Sequence, residues 1–296
     1  MNRHIHFIGI GGIGMSGIAS IFLRKGDIVS GSDIKENQNI QRLKALGAHI
    51  YIGHSGQNIE NPDTVVYSSA ISQDNPEIIQ AKKKNIPVLK RAQALAELMQ
   101  DKIGIAITGA HGKTTTTSLI SHLLINAGLC PTIAIGGILR NLSDNACLGD
   151  SRYFVAEADE SDGSFLYYYP TYSVITNIDR EHLDYYGNLD NIISSCREFM
   201  SKTREDGLIF ACGDDPRIKN ILKDFRKSRY LLFGLGSSND YCPKNIKLNK
   251  FSSEFDCYFR DGLIGHIELN LAGMHNVSNS LACIGIGRKL GVSFND

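Results

Sequence analysis

The chain has 296 residues, 42% of them hydrophobic, with Lys+Arg and Asp+Glu both at 31, so its formal net charge is zero. That length suits two domains with packed cores, and the charge balance leaves no basic field to hold nucleic acid. Seven cysteines, odd in number and without a C-x-x-C pair, give neither a disulfide framework nor a thiolate metal site and suit a reducing cytoplasm.

His4 to Ile8 alternates as a strand. Gly9-Ile-Gly11-Gly12-Ile13-Gly14 follows and matches G-x-G-x-x-G. Ile18, Ile21 and Phe22 then share a helical face, with Gly26 suited to the cap beyond it. Ile5 to Leu23 carries no charged residue, so a signal peptide or membrane span must be weighed. Its five glycines, Gly9, Gly11, Gly12, Gly14 and Gly17, would each cost a continuous helix up to ~1 kcal/mol. Strand, glycine turn and helix explain the letters better, and no membrane insertion is expected. The next strand, Ile28 to Ser32, ends at Asp33, near the place of a ribose-binding acid. Alone the motif suits NAD, FAD or a sugar nucleotide, and Asp33 is equally explained as a turn or capping residue.

Ile40, Leu43 and Leu46 form a helix face that ends at Gly47. Thr64 to Tyr67 reads as a strand delivering Ser68-Ser69-Ala70 to its carboxyl edge. Asn75-Pro76 reads as N-cap and first helical residue, and Lys82-Lys83-Lys84 as a solvated face. Ile86 to Leu89 is a strand and Ala92 to Met99 a helix. This alternation predicts an α/β, Rossmann-like parallel-sheet domain over residues 1–99. Gly11, Gly12, Ile13, Gly14, Asp33, Ser68 and Ser69 all fall on the edge where such sheets bind ligands. In isolation the two serines are better explained by turn hydrogen bonding.

The polar Gln100-Asp101-Lys102 marks the start of a second domain, 100–296. Ile105 to Ile107 is a short apolar strand. Gly109-Ala110-His111-Gly112-Lys113-Thr114-Thr115 follows, and Leu119, Ile120, Leu123 and Leu124 then recur at helical spacing as far as Gly128. Strand, glycine loop and helix are the context of a phosphate-binding loop. Backbone N–H groups would turn inward around phosphate oxygens, Lys113 would reach the terminal phosphates, and the Thr114 hydroxyl would hold Mg²⁺. The strict P-loop pattern needs glycine where Ile107 stands, so this is a shortened form. A lysine in the positive first turn of a helix is unfavourable without an anion, which weighs against a mere capped turn.

Thr132 to Ile135 reads as a strand leading to a close turn at Gly136-Gly137. Tyr153 to Asp162 is an apolar strand running into Glu157-Ala-Asp159-Glu160-Ser-Asp162. Glu157, at the strand's end, takes the position of a P-loop Mg²⁺ carboxylate. The strand from Tyr172 delivers Asn177-Ile-Asp179-Arg-Glu-His182 to the same edge. His182 could bind a second Mg²⁺ or polarise an attacking group, although Mg²⁺ prefers oxygen. Leu208 to Cys212 is a strand, and Asp214-Asp215-Pro216 is explained as helix N-cap chemistry. From Asn245 the period becomes two, and Phe255 to Ile267 reads as a hairpin turning at Asp261-Gly262, a small antiparallel β patch. Gly273-Met-His-Asn276-Val-Ser-Asn279 opens a helix through Leu290. Asn276 and Asn279 share a face and could read a base edge, while Asn276 is also explained as a cap.

Taken in order, the glycine-rich first domain, T-G-x-H-G-K-T-T-T, E-A-D-E-S-D, T-N-I-D-x-x-H-x-D and M-H-N-x-x-N resemble the Mur ligases of peptidoglycan synthesis. The resemblance runs over all 296 residues. The form E-A-D-E-S-D and the opening G-x-G-G-x-G-M-S-G are most similar to the branch that joins L-alanine to UDP-N-acetylmuramate. The resemblance implies ATP and Mg²⁺ as cofactors, these two substrates, a cytoplasmic setting and no identifiable protein partner. It places the UDP moiety on Gly11 to Gly14 with Ser68 and Ser69 nearby, and ATP on Gly109 to Thr115. It gives Lys113 the transferring phosphoryl group, Thr114 and Glu157 one Mg²⁺, and His182 a share of a second. His111 is implied near the muramate carboxylate, and Asn276 and Asn279 at adenine. The family's C-terminal domain, which contributes to the amino-acid site, lies outside these residues. A nucleotide-binding remnant without turnover is therefore one alternative. A nicotinamide oxidoreductase built on Gly9 to Gly14 and Asp33 is another, but it leaves the second glycine loop unexplained.

Overall fold

The structure, a computed structural model, describes residues 2–139 and 144–294. The chain divides into two compact units, Met1–Leu98 with Thr132–Asp150, and Met99–Pro131 with Ser151–Asp296. The segment 132–150, which the sequence suggested for the second half, is thus gathered with the first.

The first unit begins with β1 (His4–Ile8), α1 (Ile13–Lys25), β2 (Ile28–Asp33), α2 (Gln38–Ala45) and β3 (His49–Ile52). It continues with β4 (Thr64–Tyr67), α3 (Pro76–Lys83), β5 (Val88–Lys90) and α4 (Arg91–Met99). The strands form one sheet in the order β3-β2-β1-β4-β5, parallel throughout. Strand order reverses beside β1, so the loops after β1 and β4 diverge and leave a crevice at the carboxyl edge. Phe7, Met15, Ile18 and Phe22 fill the core under α1, while Ile8 packs with Ile78 and Ala81 of α3; Gly26 closes α1 at φ 97° by donating to the Leu23 and Phe22 carbonyls. The edge strand β3 had no clear signal, because His49-Ile-Tyr-Ile52 buries neither face fully. The strand expected from Ile86 begins two residues later, at Val88, since Asn85 takes a left-handed φ of 56° after α3 and Pro87 follows it.

The chain then forms β6 (Ile103–Thr108) and α5 (Lys113–Asn126) of the second unit, and returns as β7 (Thr132–Leu139) and β8 (Asp144–Cys147). These two pair antiparallel and lie against α1. The close turn expected at Gly136-Gly137 is not formed, because β7 runs through both glycines. They fall where the register shifts between Ala134 and Leu139, and a bulge rather than a turn is what glycine supplies there.

A polar network is sealed inside the first unit. Glu77, fully buried in the first turn of α3, accepts from Ser32 Oγ and from Asn58 Nδ2, each at 2.6 Å. Its oxygens also lie 3.0 Å from His54 Nδ1 and 3.5 Å from His6 Nε2. Burial pushes the carboxyl up, but His6 beside it and the hydrogen bonds from Ser32 and Asn58 outweigh it and hold Glu77 below its usual 4.5. A carboxylate depressed on folding stabilises above its unfolded pKa, and that stability drains away as pH falls through the folded value. Glu77→Gln is expected to cost about 3 kcal/mol at pH 7 and to flatten the loss below pH 4.5. Urea midpoints at pH 7 and pH 4 check this, and parallel curves for the two proteins would count against a charged Glu77.

The second unit adds β9 (Tyr153–Glu157), β10 (Tyr172–Ile175), α6 (Leu183–Tyr186), α7 (Leu189–Ser201), β11 (Leu208–Cys212) and α8 (Pro216–Leu222). It ends with β12 (Tyr230–Phe233), β13 (Tyr241–Leu248), β14 (Ser253–Phe259), β15 (Gly262–Leu269) and α9 (Met274–Lys289). Within this unit the strands run β15-β14-β13-β12-β11-β10-β6-β9. Those from β12 to β9 are parallel, and β14 runs antiparallel to both its neighbours, β13 and β15. The apolar runs of β6, β9, β10 and β11 meet Ile120 and Leu124 of α5 and Val277, Leu281 and Ile286 of α9 in one core. The hairpin turns one residue earlier than expected, at Arg260-Asp261, with Phe259 opposite Gly262. Arg260 takes the left-handed φ of 55°, held by its N–H on the Asp240 carbonyl and its guanidinium on Asp240 Oδ1.

Candidate functional site

Register sets the site of the second unit. Ile107 of β6 lies opposite Glu157 of β9, and Thr108 opposite Ile175 of β10, so three strand ends finish level. The glycine loop that leaves β6 is fastened to Thr176 and Asn177, the two residues beyond the end of β10. Asn177 accepts from His111 N–H and donates to His111 C=O, each at 2.8 Å, and Thr176 Oγ1 donates to the same carbonyl at 2.6 Å. Gly109 sits at φ 130°, and a Cβ there would stand 2.2 Å from Thr176 Oγ1. Gly112 caps α5 at φ 85° and offers no side-chain acceptor to the first N–H groups. A helix N-terminus left this way suits an anion. The sequence brought Asn177 to this edge and carried Thr176-Asn177 in its T-N-I-D motif, but gave neither residue a role.

Lys113 opens α5 and turns back over the loop. Its ammonium donates to Gly109 O at 2.7 Å, Ala110 O at 3.2 Å and Glu160 Oε1 at 2.7 Å. Thr114 Oγ1 donates to Glu157, 3.0 Å from the nearer oxygen, and Thr115 follows on the same turn. His182, at a left-handed φ of 55°, places Nε2 3.7 Å from Glu160 Oε1. Ligand atoms of Glu160, Glu181 and His182 lie within 4.8 Å of one another. The buried Tyr186 hydroxyl donates to the Glu160 carbonyl, and burial pushes its pKa up, so it stays a donor. His111 projects outward, 3.7 Å from Asp179 and 3.6 Å from Glu181. Asn279 is buried against Gly112, its Oδ1 2.7 Å from where a Cβ of that glycine would stand. Asn276 instead folds back and donates to Ala272 O at 2.8 Å. The structure therefore gathers Gly109 to Thr115, Glu157, His182 and Asn279 around one strand edge. It adds Glu160, one of the acids after Glu157 for which the sequence left open a solvent-facing position or an electrostatic influence on the site.

In the first unit the glycine turn is braced from within. Gly11 N–H donates to Asp33 Oδ2 and Ile34 N–H to Asp33 Oδ1, both at 2.8 Å. Asn37 and Asn39 donate to Gly11 O. Asp33 thus holds the turn, the capping role that its position also allowed. Gly12 caps α1, Ile13 is exposed, and Gly14 faces Arg91, whose Nη1 is 3.0 Å from the place of a Cβ. Ser68 lies beside Gly9, accepting from Ala70 N–H at 3.4 Å, and Ser69 is exposed at the same edge. Arg91 had no sequence signal, being one more basic residue at the start of a helix.

Comparison with known families covers nearly all of these residues. The Mur ligase family catalytic domain matches residues 4–103, and the Mur ligase middle domain matches residues 107–287.
The chain belongs to the Mur ligase family.
Among its relatives, the UDP-N-acetylmuramate–L-alanine ligase of Aquifex aeolicus is 50% identical over 292 residues, and that of Trichlorobacter lovleyi 48% over 292. These alignments cover 99% and 98% of the chain and 64% of each relative, so the chain spans just under two thirds of their length. Of solved Mur ligase structures, the UDP-N-acetylmuramate–alanine ligase of Thermotoga maritima superposes with a TM-score of 0.84 at 31% identity, over 98% of this chain and 66% of that one. The UDP-N-acetylmuramate:L-alanyl-γ-D-glutamyl-meso-diaminopimelate ligase of Neisseria meningitides gives 0.89 at 28%, over 99% of this chain and 95% of that one. The parallel first sheet and the mixed second sheet are the α/β architecture that these Mur ligases share.

Proposed function

We propose that this chain is the nucleotide-binding part of an ATP-dependent ligase that joins L-alanine to the lactyl carboxylate of UDP-N-acetylmuramate. The observation that carries the reading is Lys113 at the N-terminus of α5, which has no side-chain cap, with Thr114 touching Glu157 on the neighbouring strand end. The activity named for the Aquifex and Trichlorobacter relatives supports the choice of substrates. A carboxylate does not acylate an amine at neutral pH, because oxide is too poor a leaving group. Transfer of the terminal phosphoryl group of ATP to the carboxylate makes phosphate the leaving group for the amine. Two anions must meet in that step. Lys113 lowers their repulsion, and the loop N–H groups align the phosphates. The Thr114 hydroxyl and Glu157 carboxylate are hard oxygen donors already in contact, and so fit Mg²⁺; Glu160, Glu181 and His182 offer a second set. Bound there, Mg²⁺ would supply further charge neutralisation. In this reading Asn279 serves the adenine end, and Gly11 to Gly14, Ser68 and Ser69 serve the UDP moiety. No described helix is long and apolar enough to cross a membrane. The reading places the protein in the cytoplasm, where ATP is available.

Calorimetry with a non-hydrolysable ATP analogue plus Mg²⁺, and separately with UDP-N-acetylmuramate, is expected to show saturable binding of each. Absence of both heats removes the reading. Phosphate release on adding L-alanine and ATP reports ligation itself, whereas binding of both nucleotides without release supports binding without turnover.

A further inference from the structure

The Lys113 ammonium has three protons, and all three are directed inward, to two loop carbonyls and to Glu160. A terminal phosphate can be met only if one of these bonds is given up. The carbonyls are fixed by the fastening of the loop to Thr176 and Asn177. Glu160 is the partner with somewhere else to go, because Oε1 is also 3.7 Å from His182 Nε2, and a cation held among Glu160, Glu181 and His182 would draw it off Lys113. The Lys113 and Glu160 side chains are only 14% and 10% exposed, so their attraction is poorly screened. Resting on the nucleotide reading above, we infer that Glu160 stands in for the anion: it occupies the Lys113 ammonium in the nucleotide-free protein and must be displaced before ATP is gripped. Glu160 is then a positioning residue that sets the threshold for nucleotide entry. While it remains on Lys113 it also repels incoming phosphate, which makes entry depend on a cation to receive the carboxylate.

The test is the affinity of inorganic triphosphate and of an ATP analogue in EDTA, measured by calorimetry on wild type and Glu160→Gln. The expected result is binding about tenfold tighter in Glu160→Gln, with a smaller gain on adding Mg²⁺ than wild type shows. A structural lesion would weaken binding, so the sign separates the two explanations. Glu160→Asp keeps the charge but is one methylene too short to hold the 2.7 Å contact. It is expected to tighten triphosphate binding severalfold, and it decides the matter if the glutamine variant does not fold. Unchanged or weaker binding in whichever variant folds overturns the inference. If wild type binds no ATP at all, the nucleotide reading has failed instead.

Discussion

Lys113→Ala is expected to lower ATP affinity at least ~100-fold, about 2.7 kcal/mol. The ammonium is the one side-chain cation on the glycine loop, and charge-assisted bonds to phosphate are the strong ones. The same change leaves Glu160 without its closest partner, and breaking a buried pair costs up to about 3–5 kcal/mol of stability, less as far as His182 takes up the carboxylate. Poor binding by this variant could therefore reflect either cause. The double variant Lys113→Ala with Glu160→Gln removes the stranded charge and should recover most of the lost urea midpoint. It should not recover ATP binding. Calorimetry and urea melts on the three proteins check both arms, and an affinity for Lys113→Ala within threefold of wild type would sink the assignment of this loop.

Gly109→Ala should be the more damaging change to the loop itself. At φ 130° the backbone lies where residues with a Cβ are strained by roughly 1–3 kcal/mol. The added methyl would also stand 2.2 Å from Thr176 Oγ1 and 2.8 Å from the Asn177 carbonyl. Thr176 and Asn177 cannot yield without releasing His111, so the whole fastening should shift. The expected result is about 3 kcal/mol or more of lost stability and no measurable triphosphate binding. Gly112→Ala, strained too at φ 85°, has a side chain, Asn279, rather than backbone as its nearest neighbour and should cost less. A thermal melt of Gly109→Ala indistinguishable from wild type would show that the loop relaxes freely.

The parallel strands were legible because β1, β4, β6, β9, β10 and β11 are short apolar runs punctuated by glycine, proline or polar caps. The Asn75 and Asp215 caps were legible for the same local reason, since a short polar side chain before proline announces a helix start. The glycine loop and its lysine could be read as a nucleotide grip because their spacing is local. Glu160 could not be distinguished from Asp159 and Asp162, because only the three-dimensional return of β9 beside β6 decides which acid meets Lys113. Arg91 and Gly14 are distant in sequence, and nothing local in either announces the approach. The hairpin turn slipped by one residue because Asp240, twenty positions away, holds Arg260 in a conformation that glycine would otherwise be expected to take.

The antiparallel pair β7–β8 has a practical meaning for dissection. The polypeptide passes from one compact unit to the other three times, after residues 98, 131 and 150. Cutting at the first passage does not yield two whole bodies. A fragment ending at Leu98 would leave uncovered the flank of α1 on which the pair rests, and the complementary piece would carry that pair with nothing of its own unit to rest on. Anyone wishing to isolate the first unit would have to graft residues 132–150 back onto it by a short linker.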